Sequence, residues 1–230
     1  MTNKIVYVLL FLVCSISSVY ANDIYITQSG NNLNLDITQD GQNNVAGNSS
    51  TAISLTGNSM TFNIDQVGNN NVVSTVINGT TYTGNIDLTG NSNTVALTCA
   101  SSNCETVSMS IDVVGDDATV TVAIGDSASS ANFVGTIDLA TSNEDTITLT
   151  VNAANADADI DMDNDALGSS VDNTANYTMS GAGDSAGHSL THNHTGEGTT
   201  VDITQSGIYD NKIQLTTVGT NSDIDITQSD

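Results

Sequence analysis

One phrase recurs along this chain and limits what it can fold into. Asp23-Ile-Tyr-Ile-Thr-Gln-Ser-Gly30 is followed by Leu35-Asp-Ile-Thr-Gln-Asp-Gly41. Val201-Asp-Ile-Thr-Gln-Ser-Gly207 returns late, and Asp225-Ile-Thr-Gln-Ser-Asp230 closes the sequence. Copies of one short strand-turn unit bury their apolar side only by stacking on each other. The pattern points to a solenoid with a structural or adhesive role and away from an enzyme.

The residue two before each turn position marks the unit. Markers fall at Gln28, Gln39, Leu55, Gln66, Ile77, Leu88, Cys99, Val113 and Ile124, then at Leu139, Val151, Met162, Met179, Leu190, Gln205, Thr217 and Gln228. Most steps are 11 or 12 residues. Upstream of the markers the chain alternates: Leu35, Ile37 and Gln39 share one face, Asp36, Thr38 and Asp40 the other. Period-two alternation ended by Gly and Asn reads as a half-buried strand and a turn, with Asn32, Asn43, Asn70, Asn93 and Asn221 at turn positions. The expected fold is all-β, a two-sheet β-solenoid of about 22-residue strand-turn-strand coils with like residues stacked about 4.8 Å apart. Stacked Gln side chains then satisfy each other's amides, which burial otherwise penalises. Residues 22–162 and 201–230 carry the regular repeats. Residues 163–200, rich in Gly and containing the histidines, read as an irregular coil or an insertion.

Residues 1–21 read as a signal peptide: Lys4, an apolar run from Ile5 to Val13 too short to span a membrane, and cleavage after Ala21. The exported remainder holds one basic residue, Lys212, against 26 acidic ones, a net charge of −25. Such a surface repels nucleic acid and anionic membranes and keeps an edge-rich protein in solution. With no Trp or Pro and few aromatics, only a thin, repetitive core is available.

Ile26-Thr-Gln28-Ser-Gly30-Asn-Asn32, Ile37-Thr-Gln39-Asp-Gly41-Gln-Asn43 and Ile64-Asp-Gln66-Val-Gly68-Asn-Asn70 share one motif. Ile203-Thr-Gln205-Ser-Gly207 and Ile226-Thr-Gln228 carry part of it. In these residues the chain resembles the curlin-repeat family, the subunits of curli fibres, whose unit places Gln and Asn inward. The resemblance covers about a third of the mature chain. It implies an amyloid-type extracellular fibre subunit serving adhesion or biofilm, with Gln28, Asn32, Gln39, Asn43, Gln66, Asn70, Gln205 and Gln228 as stacking residues. The family's N-terminal export segment and the second Gln on its return strand are not seen here.

Other candidate sites carry less. Cys99 and Cys104 in an exported chain read as a disulfide pinning an enlarged turn. Asp157, Asp159, Asp161, Asp163 and Asp165 alternate, which makes an acidic face on a strand. Read as a calcium loop from Asp161, the run has Ala166 where glycine is needed and Asp172 in place of Glu. His188, His192 and His194 cluster in a Gly-rich stretch and read as solvent-facing rather than as a metal set. Thr27, Thr38, Thr56, Thr89, Thr204 and Thr227 form an outward array like that of ice-binding solenoids, yet Asp36, Asp65, Asp87, Asp112, Asp138 and Asp225 interrupt it. No catalytic constellation, cofactor or metal is expected. The reading is a secreted, self-stacking fibre subunit, with itself as head-to-tail partner and a nucleator or export partner compatible with it. The alternative is a monomeric acidic solenoid that binds calcium, a glycan or ice.

Overall fold

The computed structural model describes residues 23–99, 104–125, 130–140, 144–163, 173–181, 187–209 and 211–230. These residues form no helix, and every strand pairing is parallel. The chain is a β-solenoid of two facing sheets. It alternates between them, adding one row to each per coil.

Among the described residues the first sheet has nine rows. They are Asp23–Ile24 with Thr27–Ser29, Val45–Ala46 with Ile53–Thr56, Val72–Asn78, Thr94–Cys99, Thr119–Ile124, the first part of Thr146–Asp163, Asn173–Ser180, Thr199–Ser206 and Asp223–Ser229. The second has eight: Asn34–Asp40, Met60–Val67, Thr81–Thr89, Thr106–Val114, Ser130–Ala140, the remainder of Thr146–Asp163, Ser189–Thr195 and Lys212–Val218. Contacts between successive coils span 22 residues at Asn58–Thr80 and 28 at Asp145–Asn173. In the second row of the first sheet, extra residues form a loop between Val45–Ala46 and Ile53–Thr56, held by Asn48 Oδ1, which accepts from the Ser50 and Thr51 amides at 2.9 and 2.8 Å.

The turns stack as closely as the strands. A Cβ on Gly57 would overlap the Gly30 carbonyl one coil earlier, and one on Gly115 would overlap that of Gly90; both have the positive φ that favours glycine. Between the sheets, large and empty positions complement each other. Tyr82 and Phe133 are buried, and a Cβ on Gly84 or Gly135 would strike the ring two residues before it.

The marker ladder stacks in register, with one correction. Leu139 pairs with Met162, but Met162 pairs with His194, not with Leu190. Leu190 lies four residues upstream, opposite Ala158. The long connection before Ser189 delays this strand, so counting from Met179 lands too early. Within 163–200, Asn173–Ser180 and Ser189–Thr195 are solenoid rows with alternating burial, so the described part of this segment belongs to the stack.

Candidate functional site

Three features carry chemistry: inward polar columns, two unlike outer faces and the two ends of the stack. In the second sheet Gln66 Nε2 donates to Gln39 Oε1 at 2.5 Å. In the first, Gln228 Nε2 donates to Gln205 Oε1 at 3.1 Å. In both ladders the later residue donates to the earlier. Between them the same columns are mostly aliphatic: Leu88, Val113, Leu139 and Met162 in one sheet, Leu55 through Met179 in the other. The glutamines therefore sit in the end coils. Gln39, Gln66 and Gln205 are buried, Gln28 is half-buried and Gln228 exposed, since among the described residues no row covers the last two on one side.

The inward asparagines are not those expected. Asn32, Asn43 and Asn70 are exposed; Asn32 has positive φ, and Asn70 Nδ2 donates to Asn43 Oδ1 at 3.4 Å along the outside. The next residue along faces inward. Asn44 donates to the carbonyls of Gln39 at 3.1 Å and Val67 at 2.8 Å, and Asn71 to those of Gln66 at 3.3 Å and Thr89 at 2.9 Å. These amides tie the turn to carbonyls at the strand ends; those of Val67 and Thr89 accept a second bond, from the Gly41 and Gly68 amides, each at 2.9 Å. Two strand-flanking asparagines in a row look equivalent in sequence; only the turn's geometry selects one.

The three histidines are buried, contrary to the solvent-facing expectation. His192 Nδ1 lies 3.0 Å from the Tyr177 hydroxyl, and His194 Nε2 bonds Thr199 Oγ1. The His192 and His194 rings lie parallel with centroids 6.3 Å apart. Burial first, then the neighbouring His194, pulls the His192 pKa down to about 4. Among the described residues no three His, Cys, Asp or Glu side chains are arranged to hold a metal ion.

Both outer faces carry threonine, but they differ in where their carboxylates and threonine columns lie. On the second sheet Asp65, Asp87, Asp112, Asp138 and Asp161 stack in one column. Burial, then the charges of Asp112 and Asp65, raise the Asp87 pKa against the opposing hydrogen bond from Asn85. On the first sheet Thr94, Thr119, Thr146, Thr174 and Thr200 form one column, Thr98, Thr150, Thr178, Thr204 and Thr227 line another interrupted by Ala123, and Thr121 and Thr148 lie between. Of the expected outward array, Thr27, Thr56, Thr204 and Thr227 lie on this first sheet, whereas Thr38 and Thr89 lie on the second, where Thr38 stacks on Asp65. Asp36, Asp65, Asp87, Asp112 and Asp138 belong to that second sheet, and Asp202 and Asp225 continue the middle column of the first. Asp157, Asp159 and Asp161 project outward from a continuous strand, so a calcium loop does not start at Asp161; Asp165, Ala166 and Asp172 lie outside the described residues. Cys99 and Cys104 form a disulfide with Cα atoms 6.1 Å apart.

At the ends, Asp23–Ser29 and Asn34–Asp40 pair only toward the C-terminal side, and Lys212–Val218 and Asp223–Ser229 only toward the N-terminal side, among the described residues. Ile224 and Ile226 occupy core columns yet are 37% and 49% exposed, because no described row covers them. No described helix is long and apolar enough to cross a membrane. Fold and ladders define a parallel two-sheet β-solenoid. Comparison with family models, curated proteins and solved structures finds no match.

Proposed function

We propose that this chain is a secreted structural subunit of a curli-like extracellular fibre or matrix that grows by stacking coil upon coil. The observation that carries this reading is the pair of open ends. Among the described residues each presents strand edges with no further row on them, and each includes a strand containing Asp-Ile-Thr-Gln: Asp36 to Gln39 at one end, Asp225 to Gln228 at the other. Unpaired N–H and C=O groups on an ordered edge template another strand, and a head-to-tail contact that does not close gives a filament. The role is adhesive or protective and includes no catalytic step. The purified mature chain should gain thioflavin fluorescence and sediment over hours. A chain that stays monomeric in both calcium and chelator would overturn the reading.

The threonine face favours a second reading, a monomeric binding module for ice or a crystalline glycan. Its hydroxyl-bearing columns repeat at about 4.8 Å along the stack and roughly 7 Å along the strand. A monomer that inhibits ice recrystallisation, and loses this with Thr148→Lys, would support it over the fibre.

A further inference from the structure

We propose that successive copies join by a half-turn about the solenoid axis, so that the first sheet of one copy continues as the second sheet of the next. This rests on the fibre reading and specifies its junction. The rows decide it. With residues 1–21 removed, as that reading holds, the described residues form nine rows in one sheet and eight in the other, eight and a half coils. If a second copy were simply translated, Asp23–Ser29 would stack on Asp223–Ser229. Asn34–Asp40 would then stand two row spacings from Lys212–Val218, with a strand missing from the second sheet. Rotation by half a turn removes the gap. The incoming Asp23–Ser29 covers Lys212–Val218, and the incoming Asn34–Asp40 covers Asp223–Ser229. The rotation about the stacking axis preserves strand direction and keeps inward residues inward.

The side chains agree with that register. Leu35, Asp36, Ile37, Thr38 and Gln39 fall on Ile224, Asp225, Ile226, Thr227 and Gln228, which covers the two exposed isoleucines with aliphatic side chains. Gln39 falls on Gln228, so the end ladders fuse into one run of Gln205, Gln228, Gln39 and Gln66, each later amide donating to the earlier as within one copy. At the other row Asp23 falls on Lys212, the only basic residue of the mature chain, and Ile24 and Ile26 on Ile213 and Leu215. Simple translation would set Asp23 against Asp223. The half-turn does set Asp36 against Asp225, a like-charge contact of the kind the fold already carries between Asp65 and Asp87. The turn glycines add a further point. Gly68, Gly90 and Gly115 are each forced by a carbonyl one coil earlier, whereas a Cβ on Gly41 would meet only the flexible tip of Asn44 within one copy. A coil from another copy beneath Gly41 restores the requirement.

Cross-linking separates the junctions. Neighbouring parallel strands lie about 4.8 Å apart, within reach of a disulfide. The outward pair Thr38→Cys with Thr227→Cys should cross-link between copies on mild oxidation of filaments, losing the monomer band on a non-reducing gel. The pair Thr27→Cys with Thr216→Cys should do the same. Thr27→Cys with Thr227→Cys, which translation would align, should leave monomer. Filaments in which only this last pair cross-links, or in which none does, overturn the half-turn junction while leaving the fibre standing. Absence of filaments from the wild-type chain overturns both.

Discussion

His192 gives the chain a pH dependence. Its pKa lies near 4 in the fold against an ordinary 6.5, because burial and the adjacent His194 oppose the charged ring. Unfolded, it takes up a proton as pH falls below about 6.5; folded, it does not until about 4. The stabilisation is therefore fully present above pH 6.5 and is lost progressively as pH falls toward 4, by at most about 3 kcal/mol. Tyr177, His188 and His194 are the titratable groups near it in the core, with Asp157, Asp159, Asp161, Asp202 and Lys212 on the outer faces and edges of adjoining rows. Asp87 works in the other direction. Its raised pKa means that protonation stabilises the fold as pH falls through the carboxylate range. Urea midpoints should drop between pH 7.5 and 4.5 in the wild type, and His192→Leu should flatten that drop. An unchanged slope in the variant would assign the pH dependence elsewhere.

At the scale of the strand, paired large and empty positions hold the core. Gly84 and Gly135 each lie beneath an aromatic ring, Tyr82 and Phe133. Gly135→Val should cost about 1–3 kcal/mol through overpacking, read as a lower urea midpoint with unchanged slope. A surface substitution such as Thr121→Val should move it far less. The Cys99–Cys104 bridge closes a loop of sequence separation 5. Its removal by Cys99→Ser with Cys104→Ser should cost about 2 kcal/mol on loop entropy and leave the register intact, as circular dichroism of the folded variant can check. The strands themselves were legible in the sequence, because alternation and turn glycines report which side of a strand faces in. Ile64, Ile86, Ile111 and Ile137 stack as that alternation requires. His194 was not legible. A buried histidine bonded to Thr199 has the same polarity on paper as an exposed one. Asn44 and Asn71 were missed for a related reason: alternation ends where the strand ends, and the turn decides which asparagine enters. The confinement of the Asp65 to Asp161 column to one sheet was hidden because alternation distinguishes in from out but does not name the sheet. That follows only from assigning successive strands alternately to the two sheets.

For the whole molecule, the half-turn junction and the unlike faces together decide how filaments treat each other. The column Asp65, Asp87, Asp112, Asp138 and Asp161 lies on one side of a copy and the threonine columns on the other. Rotation by half a turn at each junction alternates these patches along both sides of the filament, with a repeat of roughly 80 Å over two copies at the ~4.8 Å row spacing. No side is then free of carboxylates, so two filaments meeting side by side bring acidic patches close, and like charges within a Debye length repel. Raising ionic strength from about 0.01 M to about 0.15 M shortens that length from roughly 30 to 8 Å. Wild-type filaments should therefore stay single in low salt and bundle in high salt, as widths in electron micrographs report. Asp87→Asn with Asp112→Asn removes the centre of the column and supplies amides that can ladder as Asn70 does with Asn43. That variant should bundle already at low salt. A translated filament would instead keep one entire side threonine-rich and uncharged over most of its area. It would pair through that side at every ionic strength, and wild-type bundles of two in low salt would be its mark.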